Sequence, residues 1–295
     1  MTAAKGLPEL DERFATIKGV RIRFYLGGAG GHPVLLVHGL GGAASNWVGL
    51  AQLLARTRPV LVPDLPGHGG SSPLPVVPNL EVYADRLAVL VQHVGFRRAA
   101  VVGHSLGGLV ALRLALRHPE QVNALVLAGS AGFSPSSRRA EQALVLSSLI
   151  RPGRWLAPHR SFVARHRRLR RATLGWGASD PEALCAGAVE GFLAGPALHT
   201  DTISAARALI LDDVGARLGA VRCPSLVLWG ARDTLTPIGD AFEYGCQLGA
   251  PVRAIPDCGH LLIGERPDAC AHAIEQFLDG IREVDELPRN AEALR

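Results

Sequence analysis

The segment at residues 101–108, VVGHSLGG, places a serine at a bend between two regular elements. The apolar run before it predicts a short strand, and residues 106–118 have the apolar spacing of a helix. A sharp strand-to-helix turn, with a glycine two residues to either side, would expose the hydroxyl of Ser105. The N–H of Leu106 would begin the helix, where developing negative charge is stabilised. This pattern is typical of a serine nucleophile.

Two further polar residues, Asp233 and His260, follow short apolar runs later in the chain, and HGLGG at 38–42 follows an earlier one. A serine hydroxyl needs a base before it can attack a carbonyl, and histidine titrates in the range that suits this proton transfer. A carboxylate on the second ring nitrogen orients such a histidine. The order Ser105, Asp233, His260 therefore predicts covalent catalysis by a serine.

Short apolar runs alternate with helical patterns along most of the chain. We expect strands at 33–37, 59–63, 99–102, 124–130, 225–230 and 252–256, after a β-hairpin at 14–26. The expected helices lie at 47–56, 80–94, 106–118, 237–248 and 267–280, followed by a loosely attached tail. The alternation predicts an α/β fold with a mostly parallel sheet, helices on both faces, and reactive groups beyond the carboxyl ends of the strands.

Together these motifs resemble the α/β-hydrolase superfamily over roughly residues 14–280. The segments that carry the resemblance are HGLGG, the DLPGHGGS loop, GHSLGG, WGARDTLTP and the final GH. The resemblance implies that Ser105 is the nucleophile, that His260 is the general base and acid, and that Asp233 orients the histidine. It also implies an oxyanion hole made by the backbone N–H groups of Leu40 and Leu106.

Other residues near these motifs could share the pocket. Gly41 and Gly42 keep the HGLGG loop close and bare enough for a substrate to approach. Gly39 and Gly41 are predicted substrate contacts, and so is His104, which lies beside the serine. We expect His104 to bond loop backbone as well as to border the substrate. Asp212–Asp213 precede the same strand as Asp233 and are rivals for the carboxylate role, although their helical context favours a solvated surface.

Residues 133–218 interrupt the alternation at the point where this superfamily usually carries a cap. Their pattern is helical, with predicted helices at 141–150, 162–171, 181–195 and 199–211. The predicted organisation is a core domain at 1–132 and 219–295 with a helical cap (lid) at 133–218. Cap helices could wall an apolar acyl pocket and exclude water. The candidate walls are Leu144, Leu149, Trp155, Phe162, Trp176, Phe192 and Leu193, of which Trp155, Phe162 and Trp176 are the predicted substrate contacts.

The basic excess of the chain lies in this insertion. The net charge is +5, and residues 133–218 hold twelve arginines against seven acidic residues. The run RHRRLRR at 165–171 predicts a solvated helix face first, and attraction of anionic substrates or an acidic membrane surface second. Aromatic residues are not interleaved as a nucleic-acid platform requires, so no nucleic-acid partner is expected.

Composition restricts the remaining possibilities. Five cysteines without a C-x-x-C pair favour reduced thiols, and Cys258 is expected to be a small buried residue. Neither a metal nor an organic cofactor is expected. The first residues lack the apolar run of a signal peptide, and no stretch is long enough for membrane insertion, so the expected location is cytoplasmic.

The predicted activity is hydrolysis of carboxylic esters with small to medium apolar acyl chains, through an acyl-enzyme. The alternatives on the same triad are a carbon–carbon bond hydrolase of ring-fission diketones, a lactonase and a perhydrolase. His104 stands where the carbon–carbon hydrolases often have asparagine, which weakens that alternative. A different kind of function is also possible on this fold, namely a ligand-binding or interaction module without catalysis. Monomer and dimer both remain open.

Overall fold

The computed structural model describes residues 7–75, 79–139, 142–143, 152–213, 215 and 217–286. Within this part of the chain, eight strands form one sheet in the order β1-β2-β4-β3-β5-β6-β7-β8. They are β1 (Asp11–Ile17), β2 (Val20–Gly27), β3 (Val34–Val37), β4 (Val60–Pro63), β5 (Ala99–His104), β6 (Val122–Ala128), β7 (Ser225–Gly230) and β8 (Val252–Ile255). β2 pairs antiparallel with β1 and β4, and every neighbouring pair from β4 to β8 is parallel. The predicted α/β class is confirmed.

Helices cover both faces of this sheet, and further helices lie in the region predicted to be a cap. They are α1 (Val48–Ala55), α2 (Leu80–His93), α3 (Leu106–Arg117), α4 (Pro152–Leu156), α5 (Arg160–Arg165), α6 (Arg167–Leu174), α7 (Ala186–Ala194), α8 (Thr202–Leu211), α9 (Ile238–Leu248), α10 (Leu262–Glu265) and α11 (Pro267–Glu286). Residues of α2, α3 and α9 pack on one face, and residues of α1 and α11 pack on the other.

The central strands are apolar on both sides, as the uninterrupted runs predicted. In β3, Leu35 and Val37 belong to the cluster under α2 and α3, whereas Val34 and Leu36 belong to the cluster under α1 and α11. All four side chains are fully buried. A parallel strand between two helical layers needs this composition because its side chains alternate between the two layers.

Local sequence explains the hairpin, whereas the predicted helix ends needed correction. Lys18 and Gly19 both have positive φ, at 45° and 78°, which is the backbone of a two-residue turn that suits the twist of the strands.

The last helix continues to Glu286, so residues 283–286 of the expected loose tail are helical. The helix predicted through 162–171 is two helices, because His166 is extended between them.

The region predicted to be a cap, residues 133–218, has a small apolar core of its own. Val163, Ala164, Leu174, Val189 and neighbours form an apolar cluster that includes Leu261, the residue after the predicted catalytic histidine. The last cap helix, α8, instead contributes Ala205 and Leu209 to the main cluster beneath the sheet. The predicted helix at 141–150, with Leu144 and Leu149, lies outside the described residues apart from positions 142–143.

Candidate active site

The turn between β5 and α3 holds Ser105 in a conformation that few residues other than glycine adopt. Its φ is 54° and its ψ is −122°, and Leu106 is the first residue of the helix. A Cβ on Gly107 would lie 2.2 Å from the carbonyl oxygen of Val37, so the turn can approach β3 only with glycine there. The strain and the close packing together present the serine at the end of the sheet, as the motif predicted.

Asp233 and His260 form a buried hydrogen-bonded pair. His260 Nδ1 lies 2.8 Å from Asp233 Oδ2, and the two side chains are 3% and 0% exposed. Asp233 Oδ1 accepts from the backbone N–H groups of Leu235 and Thr236, and the Thr236 hydroxyl donates to Oδ2 at 2.7 Å. Because a carboxylate can only accept, Nδ1 carries the ring proton, which leaves Nε2 of His260 as the basic nitrogen.

The surroundings of Asp233 keep it ionised. Burial by itself raises the pKa of this carboxyl group, but the charge of His260 and the hydrogen bonds from His260 and Thr236 outweigh burial, so the pKa is lowered. A carboxylate that stays charged can stabilise an imidazolium during proton transfer. Thr236 was not singled out from the sequence, although a threonine three residues after the aspartate is a recognisable capping pattern.

Two contacts bring the serine loop and the histidine loop to the same end of the sheet. The N–H of Ser105 donates to the carbonyl oxygen of Ala128 at 3.2 Å. The next residue, Gly129, has φ of 51°, and a Cβ there would lie 3.6 Å from both Asp233 Oδ2 and His260 Nδ1. His104, beside the serine, has Nε2 2.8 Å from the carbonyl oxygen of His260. The expected backbone bond of His104 is therefore present.

Of the two rival carboxylates, Asp212 is paired with an arginine, and Asp213 is exposed. Arg113 makes a paired interaction with Asp212, with Nη2–Oδ2 at 2.6 Å and Nε–Oδ1 at 3.1 Å. The side chain of Asp212 is 10% exposed, so the expectation of a solvated surface at this residue was wrong. The helical pattern did not show that α8 turns its end toward Arg113 on α3.

Hydrogen bonds within the HGLGG loop fix the orientation of the peptide unit between Gly39 and Leu40. The carbonyl oxygen of Gly39 accepts from Gly42 N at 3.1 Å and faces His38 Nδ1 at 2.8 Å. The N–H of Leu40 belongs to the same planar peptide unit as that carbonyl, and it therefore points the opposite way. Leu106 begins α3, so its N–H has no acceptor within the helix. These are the two N–H groups predicted for the oxyanion hole.

His199 reaches from the cap to this loop, a contact that the sequence did not indicate. Its Nε2 lies 2.8 Å from the carbonyl oxygen of Gly41, and its Nδ1 accepts from Gly69 N at 2.9 Å. Carbonyls only accept and backbone N–H groups only donate, so the proton of the ring is on Nε2. The carbonyl of Gly41 shares a peptide plane with the N–H of Gly42, which in turn bonds Gly39.

Replacing His199 with alanine is expected to lower kcat for ester hydrolysis about tenfold, with KM nearly unchanged. The loop would lose an anchor next to the predicted oxyanion donor, and partial misplacement of one donor costs less than its removal. Steady-state kinetics would measure the effect, with the exposed cap residue His159 replaced by alanine as the control. An unchanged kcat would show that the loop does not need the histidine.

Glu265 fastens the cap to the loop of the predicted catalytic histidine. Its Oε2 accepts from Gly259 N at 2.9 Å, and its Oε1 accepts from Ser179 N at 2.9 Å and Asp180 N at 3.1 Å. The residue is 6% exposed. The sequence offered one signal that was not used, an acidic residue that ends the apolar run after His260.

Replacing Glu265 with alanine is expected to lower the free energy of unfolding by about 3 kcal/mol and to lower kcat. Three backbone N–H groups would lose their acceptor, and each buried unpaired donor costs roughly 1–3 kcal/mol. Denaturant unfolding and steady-state kinetics would measure both effects. Glu243, exposed on α9, provides the matched alanine control. Equal stability of the two variants would contradict this role.

Two buried histidines near the site are uncharged at neutral pH. Burial lowers the pKa of His38 to about 3, and burial together with the charge of His260 lowers that of His104 to about 3. The N–H of Leu65 donates to His38 Nε2 at 2.9 Å, so His38 holds its proton on Nδ1 toward Gly39. Both rings therefore act as fixed hydrogen-bonding parts of the two loops.

These histidines predict a stability that falls on acidification. Below about pH 6.5 the unfolded chain binds a proton on each ring that the folded chain does not bind until about pH 3. The free energy of unfolding should fall by about 1.4 kcal/mol per pH unit for each histidine in that range. Denaturant unfolding between pH 7 and about pH 5 would measure the slope. Replacing His38 with asparagine should reduce it, whereas replacing the exposed His32 should not.

The predicted substrate contacts on the cap are solvent-exposed. The exposed fractions of Trp155, Phe162 and Trp176 are 72%, 50% and 48%. Phe192 and Leu193 instead pack inside the cap, and Phe192 also contacts the cluster beneath α1. Cys258 is fully buried, as expected, and burial raises the pKa of its thiol. The substrate roles of the cap residues stay predictions.

A family model of the alpha/beta hydrolase fold matches residues 32–267. The chain belongs to the α/β-hydrolase family. Like many of its members, this hydrolase carries its polar groups beyond the carboxyl ends of parallel strands. In the part of the chain that the structure describes, every helix is too short or too polar to cross a bilayer.

Relatives of this hydrolase differ in their named activities. It is 30% identical over 281 residues to the dihydrolipoyllysine-residue acetyltransferase component of the acetoin cleaving system of Cupriavidus necator. This alignment covers 91% of the present chain and 69% of the relative. It is 38% identical over 138 residues to the 2-hydroxymuconate semialdehyde hydrolase of Pseudomonas sp. strain CF600, and this alignment covers 45% of the present chain and 48% of the relative. The crystal structure of a membrane phospholipase A superposes with a TM-score of 0.72 at 28% identity. The superposition covers 94% of the present chain and 88% of the phospholipase chain.

Proposed function

We propose that this protein is a serine hydrolase that cleaves carboxylic esters of small to medium apolar acyl chains. The observation that carries the proposal is the buried pair of Asp233 and His260, at the end of the sheet where a strained turn presents Ser105. The phospholipase neighbour supports an ester as the substrate class. The reaction needs neither a metal nor an organic cofactor in this mechanism.

The mechanism begins with attack of Ser105 Oγ on the ester carbonyl. Nε2 of His260 takes the hydroxyl proton, and Asp233 stabilises the imidazolium that forms. The carbonyl oxygen becomes an oxyanion, which the N–H groups of Leu40 and Leu106 would stabilise. His260 then returns the proton to the departing alcohol, leaving an acyl-enzyme. Water, deprotonated by His260, hydrolyses that intermediate and restores the serine.

The experiment is a series of p-nitrophenyl esters from acetate to palmitate, together with labelling by a fluorophosphonate. We expect kcat/KM to be highest between butyrate and octanoate, and we expect stoichiometric labelling at Ser105 that abolishes turnover. A protein that is not labelled and turns over no ester would overturn the proposal and favour a binding module. Labelling without ester turnover would direct attention to other acyl substrates.

A second candidate is hydrolysis of a carbon–carbon bond in a ring-fission diketone, and the identity to a 2-hydroxymuconate semialdehyde hydrolase favours it. The same triad could serve this reaction. Loss of the absorbance of a ring-fission dienol would measure it. A kcat/KM that exceeds the best ester value would replace the ester proposal. Lactone hydrolysis and peracid formation would be assayed beside the ester and the diketone, because both reactions would use the same three residues.

A further inference from the structure

Three large aromatic side chains between residues 155 and 176 of the predicted cap are exposed. We define the cap patch as Trp155, Phe162 and Trp176 with the arginines around them at 154, 165 and 168. The three aromatic residues are 48–72% exposed. Side chains of this size leave water readily, and clusters of them on a surface mark a site of contact with another molecule or a membrane. What distinguishes these three side chains is the charge of the segment that carries them.

The helices of the cap place two of these rings on one side. Residues 152–165 run through α4, a short 3₁₀ turn and α5. Ala157, Val163 and Ala164 are buried and face the cap interior. Trp155 and Phe162 are seven residues apart, about two helical turns, so they share the opposite side. The centroid of the Phe162 ring also lies 4.0 Å from that of His166, the extended residue before the next helix.

The segment that carries these aromatic residues is positively charged, and one glutamate from outside it neutralises part of that charge. Residues 152–176 include seven arginines and no acidic residue. Glu182 pairs with Arg167 at 3.2 Å and with Arg171 at 3.9 Å. Arg170 donates to backbone carbonyl oxygens, including that of Leu184 at 2.6 Å, and so has a structural role. The exposed arginines at 154, 165 and 168 give the patch its positive charge.

We propose that the cap patch binds the surface of an anionic lipid bilayer. Tryptophan and phenylalanine settle at the level of the lipid headgroups, where their rings leave water, and arginines bind headgroup phosphates. Trp155, Phe162 and the three arginines lie on short helices that would lie in the plane of the surface, and Trp176 lies in the turn after the last of these helices. A nucleic acid would pair with the same charge, but its bases need aromatic faces interleaved with the basic residues, and the run RHRRLRR at 165–171 contains no phenylalanine, tyrosine or tryptophan. The proposal concerns binding alone and does not depend on the proposed ester hydrolysis.

The first test is cosedimentation of the full-length protein with vesicles. Vesicles of an equal mixture of phosphatidylglycerol and phosphatidylcholine are compared with vesicles of pure phosphatidylcholine. We expect binding to the mixed vesicles alone, and loss of that binding at about 0.5 M NaCl, where screening is strong. Equal binding to both kinds of vesicle, or binding to neither, would overturn the proposal. Retention of a single-stranded oligonucleotide under the same conditions, without vesicle binding, would overturn it in favour of nucleic acid.

Tryptophan fluorescence provides a second, independent readout. Trp47 and Trp229 are fully buried, whereas Trp155 and Trp176 are exposed. A blue shift on adding anionic vesicles would therefore come from the patch. Replacing Trp155 with phenylalanine should reduce the shift without abolishing vesicle binding. A shift of the same size in that variant, and in the matching variant of Trp176, would contradict contact through the patch.

Charge variants locate the binding site. Replacing Arg154, Arg165 and Arg168 with glutamine should weaken vesicle binding roughly a hundredfold, at about fivefold for each arginine near an anionic surface. A matched triple variant of Arg97, Arg98 and Arg253, which are exposed on other elements, removes the same charge elsewhere. Equal weakening by the two triple variants would show that net charge, and not the patch, governs binding. Unchanged thermal unfolding of both variants confirms that they fold.

Discussion

Replacing Ser105 with alanine is expected to lower kcat for p-nitrophenyl butyrate about 10⁵-fold, because the reaction loses its nucleophile and not a supporting contact. The variant should remain as stable as the original protein. Alanine keeps the Cβ that packs near Gly39 and removes only the hydroxyl oxygen. Steady-state kinetics, fluorophosphonate labelling and thermal unfolding measure the three quantities on one preparation.

The control for this substitution is Ser225→Ala. Ser225 is buried in β7, and its hydroxyl donates to the carbonyl oxygen of Cys223 at 3.1 Å, away from the predicted triad. That variant should keep both turnover and labelling. If a folded Ser105→Ala protein still hydrolysed the ester at the original rate, the assignment of the nucleophile would be wrong.

Replacing Asp233 with asparagine is expected to lower kcat about 10³–10⁴-fold. Two backbone N–H groups, those of Leu235 and Thr236, donate to Oδ1, so the amide of the asparagine will turn its oxygen toward them. Its NH₂ group then faces His260 Nδ1 and can only donate to it. The ring proton must move to Nε2, and the nitrogen that should accept the serine proton is blocked.

Two variants separate this tautomer effect from loss of a buried charge. Asp240 is also buried and accepts from Ser134 N at 3.0 Å, but it lies outside the predicted triad. Asp240→Asn should keep most of the activity. Thr236→Val removes only the hydroxyl that donates to Asp233 Oδ2, and it should lower kcat about tenfold. Equal losses in the Asp233 and Asp240 variants would contradict the proposed mechanism.

The parts of the site that depend on local sequence could be predicted. The bend at Ser105 requires a short strand, small neighbours and a following helix, and these signals all lie within some twenty residues. The same holds for the central strands, because a strand buried between two layers must be apolar at every position. The carboxyl ends of such strands meet at one edge, so the ends that carry Ser105, Asp233 and His260 could be expected to lie together.

The tertiary structure alone decided which polar residues support these three. Glu265 contacts Ser179 and Asp180, and His199 contacts Gly41 and Gly69, so each joins the cap to a loop far away in the chain. A periodic pattern reports which side of an element is apolar, but it does not report which distant loop that element meets.

The predicted cap also shows what sequence periodicity leaves undecided. Its helical character was evident in the sequence, whereas the split at His166 and the exposure of Trp155, Phe162 and Trp176 were not. An apolar residue on a short helix can face a pocket, a neighbouring helix or the solvent at the same spacing. The sequence by itself therefore determined the α/β fold and the order of the three predicted catalytic residues. Only the packing of the cap on the sheet decided how their loops are held and which side chains remain at the surface, because those contacts join residues with no local relation.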